Sequence, residues 1–317
     1  MEAAVDEFEK IIIITKKTAL EELLERFITR DQAAFYLGRM GVDFSEYQES
    51  HDTCRKALEE IRAAVPAGLP CQCIERSFLP TVTFGEHDFI ITVGPDGLVV
   101  NTAKYLHGQP LLAVNPDPSR IDGVLTPFSV VKARTALRKT IRYGYRVRRL
   151  TMACAHFSDG SSLHALNDLF VGRKTHVSAR YSMSYRGHRE EQSSSGIIIS
   201  TGAGSTGWLR SIITGASAVA EAFIPSEEIG TFKERYRFDW ESRYLYFSVR
   251  EPFISKTSGA ETVFGKIEEG ESLEIVSNMP QNGVVFSDGI ESDYVDFSSG
   301  MKASIGLADR SLSLIVP

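Results

Sequence analysis

The sequence predicts an α/β N-terminal domain on a doubly wound, mostly parallel sheet (residues 1–126), then a β-rich C-terminal domain, an antiparallel sandwich (residues 127–317). Three observations carry that prediction. Strand-like and helix-like stretches alternate up to about Thr126, the order from which parallel sheets are assembled. DFIITV at residues 88–93 is a nearly continuous apolar run, as expected of a strand covered on both faces. Beyond Thr126, short alternating stretches are separated by Gly, Asn and Ser turns, the pattern of antiparallel sheets.

The first element is IIIITKK at residues 11–17, short, β-branched and apolar, a buried strand. Thr18-Ala19-Leu20-Glu21 follows as a capping box, and Leu20, Leu23, Leu24, Phe27 and Ile28 form one apolar stripe at helical spacing. A second helix is expected over residues 53–65, a strand at CQCIER, the strand at 88–93, a helix over 98–107 and a strand over 111–114. A helix over 128–142 leads into the strands YRVRRLTMACAHF, VSARYSMSYRG, SGIIIST, RYLYFSVREPF, SLEIVS, GVVFSDG and SLSLIV, interrupted by one helix over 208–223.

Composition narrows the functional classes. The 317 residues are 43% hydrophobic and 24% charged, ordinary for a globular protein with a large core. The net charge of −6 does not favour nucleic acid as a partner. No apolar run is long enough to cross a membrane. The opening MEAAVDEFEK is acidic, unlike a signal or transit peptide, which points to the cytoplasm. Cys71-Gln-Cys73 is too short for zinc spacing. With Cys54 and Cys154 those cysteines are expected to be buried free thiols, and no metal-ligating residues are assigned.

Three places could carry chemistry. Gly94-Pro95-Asp96-Gly97 ends a central strand and opens a helix. Parallel sheets bind ligands at that edge, and a helix N-terminus favours anions. Gly94 and Gly97 could admit a phosphate, and Asp96 could act as a base or hold a hydroxyl; the same residues equally make a plain strand–turn–helix connection. Gly202-x-Gly204-x-x-Gly207 matches the dinucleotide fingerprint as a pattern, but it lies among antiparallel strands without the acid that the motif requires. What it retains is a loop rich in amides and hydroxyls, then Trp208, which can stack on a flat ring. Asn167-Asp168 opens an apolar strand with a donor and an acceptor suited to ribose, or with an ordinary turn. Residues 132–149 hold eight Lys and Arg and no acid, either an attraction for a phosphorylated ligand or the solvated face of a helix and strand.

Taken in order, these places resemble the motif series of the NAD kinase family, which phosphorylates the adenosine 2′-hydroxyl of NAD. GPDGL at residues 94–98 is similar to the family's Gly-Gly-Asp-Gly-Thr loop, and LLAVNPDPSRIDGVLT to its Val-Asn…Gly…Leu-Thr segment. ALNDLFVGRK is similar to its Asn-Glu/Asp motif, and SSGIIISTGAGSTGW to its Asp-Gly…Thr-Gly-Ser-Thr segment; FSDG near the end also has a counterpart. NPDPSR, SSG, Trp208, SVREP at residues 248–252 and IIIITKKT resemble the divergent, mitochondrial-type branch.

The resemblance implies a site between the two domains, ATP as phosphoryl donor with Mg²⁺, NAD as substrate, and a homodimer or larger homo-oligomer. Asp96 would sit on the ribose hydroxyls and assist the 2′-oxygen, while Gly94 and Gly97 line the phosphates. Asn115 and Ser205 would bind the nucleotide, and Asn167 and Asp168 the dinucleotide. Thr206, Gly207 and Trp208 would contact a base or ribose. Retention of Asn167-Asp168 and the Trp208 loop favours a dinucleotide over the acceptors of other kinases that share the aspartate–glycine loop, such as sugars, nucleosides or lipids. Three residues depart from the pattern: Pro95 removes an N–H, Leu98 removes a hydroxyl, and Ser195 replaces an aspartate, as it also does in the mitochondrial-type branch. A lost hydrogen bond to a charged group costs roughly 1.5–3 kcal/mol, so the loop of a poor catalyst or of a non-catalytic nucleotide-binding protein would look the same.

Overall fold

The computed structural model of the chain describes residues 8–223 and 236–317. Most of the opening acidic stretch, residues 1–7, lies outside them. The chain groups into two compact units, residues 1–148 with 312–317, and residues 149–311.

In the first unit, β1 (Lys10–Thr15) leads to α1 (Ala19–Phe27), α2 (Arg30–Arg39) and α3 (Phe44–Ala64), then β2 (Cys71–Glu75), β3 (Asp88–Val93), α4 (Asp96–Ala103), β4 (Pro110–Asn115), β5 (Phe128–Ser129) and α5 (Val130–Tyr143). The capping box of α1 forms as the sequence predicts: Thr18 Oγ1 accepts from Glu21 N while Thr18 N donates to Glu21 Oε2 at 2.8 Å. The helix expected from residue 53 starts at Phe44, because Asp43 caps it through Ser45 N at 2.9 Å. The segment 44–52 is polar and gives no apolar signal. α2 was not expected because its apolar residues, 33–37, run together instead of recurring at helical spacing, and only Ala33 and Leu37 are buried; Thr29 caps it through Gln32 N.

The strands pair in parallel in the order β2-β1-β3-β4, with β5 beside β4. Ile11, Ile13, Phe89, Ile91, Leu112 and Val114 face Ala57 and Ile61 of α3 and Ala133 and Leu137 of α5 in one core. Ile12, Ile14 and Ile90, pointing the other way, are also completely buried. Burial on both faces is what the unbroken apolar runs require. β2 is an edge strand, so Cys71 and Cys73 are exposed; of the four expected buried thiols only Cys154 is fully buried, and all four are free. The basic run starts on α5, where Lys132, Arg138, Lys139 and Arg142 are exposed and Arg134 pairs with Glu60 at 3.2 Å.

The second unit is antiparallel. Its elements are β6 (Val147–Phe157), β7 (Ser162–Ala165), β8 (Asp168–Arg173), β9 (Ala179–Tyr185), β10 (His188–Ser194), β11 (Ile197–Ser200), α6 (Trp208–Phe223), β12 (Tyr244–Val249), β13 (Phe264–Glu268), β14 (Leu273–Ser277), β15 (Gly283–Ser287), β16 (Val295–Asp296) and β17 (Lys302–Ile315), whose last residues belong to the first unit. One layer runs β10-β9-β14-β17 with β6 and β7 beyond, and the other β13-β12-β11-β8-β15-β16. Leu169, Val171, Ile197, Ile199 and Phe247 of the second layer pack with Tyr181, Met183, Leu273, Ile275 and Ala303 of the first, so the two sheets share one apolar core. The outer face of the second layer carries Phe170, Ile198, Val284 and Phe286, covered in part by Trp208 and Ile212 of α6.

Candidate functional site

In the first unit the strand order places a reversal between β1 and β3: the chain winds from β1 outward to β2, then from β3 outward to β4. Open parallel sheets form a crevice at the carboxyl ends of strands where the order reverses. A cleft of about 460 Å³ lies there, lined among others by Thr15, Lys16, Lys17, Arg55, Gly94 and Pro95. Lys17 pairs with Glu25 at 2.5 Å and Arg55 with Glu21, so part of this positive charge is already matched.

The loop at this edge is tighter than its glycines suggest. Gly94 N donates to Val114 O at 3.1 Å, continuing the sheet, and Pro95 has no N–H. Pro95 stands at the N-cap of α4 with φ −73° and ψ 169°. A Cβ on Gly94 would lie 2.8 Å from Leu98 Cδ2, whereas one on Gly97 would meet nothing within 4 Å. Leu98 is 1% exposed. Its side chain packs beneath the loop, so the residue standing in place of the family's threonine is a core residue here.

Asp96, one residue inside α4, has both carboxylate oxygens occupied. Oδ2 accepts from Val124 N at 2.9 Å, and Oδ1 accepts from Leu125 N at 2.9 Å and Thr126 Oγ1 at 3.2 Å. Asn115 tightens the same segment: Nδ2 donates to Ile121 O at 2.8 Å and Oδ1 accepts from Asp117 N at 3.0 Å. Gly123 sits between them at φ +68°, where a Cβ would lie 2.4 Å from Asn115 Nδ2 and 2.8 Å from Thr126 Oγ1. The structure thus joins Asp96 and Asn115, 19 positions apart in the sequence, through the turn 121–126. In the sequence Gly123 and Thr126 stood out as the Gly and the Thr of the Val-Asn…Gly…Leu-Thr likeness, with no role attached to either.

In the second unit, Asn167 and Asp168 lie where β8 begins. Asp288, just after β15, accepts from Asn167 N at 2.7 Å and from Leu166 N and Asp168 N at 3.3 Å. Asp168 is 8% exposed. Burial pushes its carboxyl up to about 7; the negative charge of Asp288 adds to this and a hydrogen bond from Ser200, its register partner on β11, opposes it. The buried oxygens Asn167 Oδ1 and Asp168 Oδ1 have no hydrogen-bond partner among the described residues.

The loop at residues 201–207 closes on its own groups. Thr201 N donates to Asn167 O at 2.9 Å, Gly204 N to Thr201 Oγ1 at 3.2 Å, Ser205 Oγ to Gly202 O at 2.7 Å and Gly207 N to Gly204 O at 2.8 Å. A Cβ on Gly202 would lie 2.1 Å from Asp239 O, and one on Gly204 would lie 2.2 Å from Asn167 O and 2.7 Å from Asp168 Oδ1. Ser205 is buried, Thr206 and Gly207 are exposed. Asn167, Asp168, Gly204 and Ser205 therefore form one cluster. Trp208 points elsewhere: it stacks on Phe170 (5.7 Å, 9°) and Phe286 (6.4 Å, 23°), with Arg250 Cζ 5.5 Å from its ring centre. These side chains line a cavity of about 650 Å³ that also meets Arg173 and Lys174. Sequence reasoning missed Asp288 as a partner of Asn167-Asp168 and the Phe170–Trp208–Phe286 stack; FSDG was the available signal for the first.

No protein-family model matches the sequence, and no curated protein sequence matches it. Solved structures do. The yeast NADH kinase complexed with NADH is 12% identical, with a TM-score of 0.57 over 98% of this chain and 84% of that one. An NAD kinase from Archaeoglobus fulgidus in complex with ATP is 16% identical, with a TM-score of 0.55 over 96% of this chain and 93% of that one. The parallel α/β arrangement before residue 148 and the antiparallel sheets after it are thus combined along one chain as in those two proteins, and the chain has the NAD kinase fold.

Proposed function

We propose that the chain is an NAD kinase-like phosphotransferase that moves the γ-phosphoryl group of ATP to the adenosine 2′-hydroxyl of NAD or NADH. The observation that carries this reading is the likeness of fold, over nearly the whole chain, to two kinases whose structures hold NADH and ATP. The cleft at the strand-order reversal, with Asp96 beside it, supports the same reading. In the transfer, a bond forms between the 2′-oxygen and the γ-phosphorus, the bond to the bridging oxygen breaks, ADP leaves, and the hydroxyl proton passes to Asp96 or to water. Phosphoryl transfer asks mainly for positioning and charge neutralisation. That suits Asp96, because a carboxylate held by three donors is a well-oriented acceptor for a ribose hydroxyl. Asn167 and Asp168 contact the dinucleotide, and Trp208 offers the edge of an aromatic stack to a base. Mg²⁺ would arrive on the ATP phosphates: among the described residues no three His, Cys, Asp or Glu side chains group to hold a metal, and Mg²⁺ commonly takes one or two carboxylates plus phosphate oxygens. Action as a homodimer belongs to the same proposal.

A second reading has its own observation. Gly94 N is committed to Val114 O and Pro95 has none, so a dinucleotide-binding protein without turnover also fits. One experiment decides between them: NADP or NADPH formation from NAD or NADH with ATP and Mg²⁺, with Asp96→Asn alongside. The kinase reading expects product, and in the variant a fall of at least about 10³-fold, equivalent to ~4 kcal/mol of barrier, with dinucleotide binding retained. Binding without product upholds the second reading, and a variant with full rate removes Asp96 from the chemistry.

A further inference from the structure

The turn that follows β15 presents an acid that the transfer step above does not use. Asp288 occupies the left-handed region at φ +58°, which glycine adopts freely and Asp tolerates only as a short polar side chain. Its carboxylate faces the backbone where β8 begins and accepts from Leu166 N, Asn167 N and Asp168 N at 3.3, 2.7 and 3.3 Å. Its own N–H returns a bond to Asp168 O at 2.8 Å. The clamp therefore joins two turns 120 residues apart. Asn167 Oδ1 and Asp168 Oδ1, in the same clamped segment, are buried acceptors without partners among the described residues. Buried polar atoms are ordinarily paired, so two unpaired acceptors side by side call for donors from outside the chain.

We propose that Asp288 is a positioning residue: by holding the N–H groups of Leu166, Asn167 and Asp168 it fixes the two unpartnered oxygens at which the donor groups of a nucleoside, ribose hydroxyls or an exocyclic amine, are bound. This rests on the reading of Asn167 and Asp168 as dinucleotide contacts. The clamp carries an electrostatic signature that mere packing would lack. Asp168 faces the Asp288 carboxylate from the β15 side and the Ser200 hydroxyl from β11, while the Gly204 turn brings no charge. Burial sets most of the upward shift of Asp168 and Asp288 adds to it, so loss of the Asp288 charge moves the titration of Asp168 to lower pH.

The test is NADH binding by calorimetry between pH 5.5 and 8.5, together with amide hydrogen exchange at residues 166–168. It compares wild type with Asp288→Asn, with Asp288→Gly, which suits the left-handed backbone but lacks the carboxylate, and with the exposed-turn control Asp159→Asn. Both Asp288 variants are expected to exchange those amides at least tenfold faster and to bind NADH at least tenfold more weakly. The pH midpoint of binding, near that of Asp168, should fall in Asp288→Asn, and the control should match wild type. Unchanged exchange, affinity and midpoint in a folded Asp288→Gly overturn the proposal. Wild-type protein that binds neither NAD nor NADH overturns the functional reading instead; exchange then judges the clamp alone, faster amides upholding it and unchanged amides overturning it.

Discussion

The loop at residues 94–97 and the loop at residues 202–207 look alike in sequence. Each follows an apolar strand, is rich in glycine and opens a helix. The structure uses their glycines differently. In the second, Gly202 and Gly204 admit two backbone segments, Asp239 and Asn167, to within distances that no side chain permits, and the amides of Gly204, Ser205 and Gly207 bond within the loop. In the first, Gly94 admits the Leu98 side chain and Gly97 faces open space. The first-turn amides of Asp96 and Gly97 have no acceptor within the helix. Glycine spacing alone does not distinguish a phosphate cradle from a crossing of two backbones. What approaches the α-carbon does.

The largest effect that would break this contrast is at the second loop. Gly204→Ala is expected to destabilise the protein by about 3 kcal/mol or more, because the clash is with a carbonyl and not with a flexible side-chain end. Gly202→Ala should cost a similar amount. Thermal unfolding checks both, and two variants that melt with the wild type would show that the second loop carries no such crossing.

Next comes pH. Burial pushes the Asp168 carboxyl up to about 7, well above the ordinary carboxylate range. From about pH 4 to 7 the unfolded chain gives up this proton while the folded chain keeps it, so this residue lowers stability as pH rises through that window and levels off above it. Asp168→Asn cannot titrate. Relative to wild type it is expected to gain ~2–3 kcal/mol between pH 5 and pH 8. Denaturant unfolding at the two pH values measures it; no gain would place the Asp168 carboxyl in a wetter setting than its burial indicates.

The fold was legible because its signals are local. IIIIT and DFIITV announce covered parallel strands by their unbroken apolar character, and the alternation after Thr126 announces antiparallel ones. α2 and the first turns of α3 were not legible, since capping by Thr29 and Asp43 holds segments without an apolar stripe. Of the site, Asp96 was legible as an acid at a strand end. Its partners, Val124, Leu125 and Thr126, come from 28–30 residues later, and Asp288 from 120 residues beyond Asp168. Spacing within a motif says nothing of such pairings.

The first loop allows a sharper separation of its two departures. Pro95→Gly returns one backbone donor and, if the cleft takes phosphate, should raise turnover up to about tenfold, the worth of roughly 1.4 kcal/mol. Leu98→Thr is expected to lower stability by ~2 kcal/mol, since it truncates a core side chain and buries a hydroxyl. Combining the two would mix a gain with a loss, so the single variants are the informative ones. A rate gain from Leu98→Thr alone would mean that residue 98 reaches the ligand despite its burial.

The smallest effect is expected at Gly97, and it is the most discriminating. Its α-carbon is exposed and a methyl group there meets nothing. It lies in the first turn of α4, where alanine is favoured over glycine. Gly97→Ala should therefore leave stability within about 0.5 kcal/mol of wild type or raise it slightly. Among the described residues no contact explains a glycine at this position. If phosphate approaches the N–H of Gly97 closely, the added methyl should weaken ATP binding with stability unchanged; if the loop is only a connection, neither quantity moves. The same substitution at Gly204 cannot separate those cases, because there the protein's own backbone already fills the space.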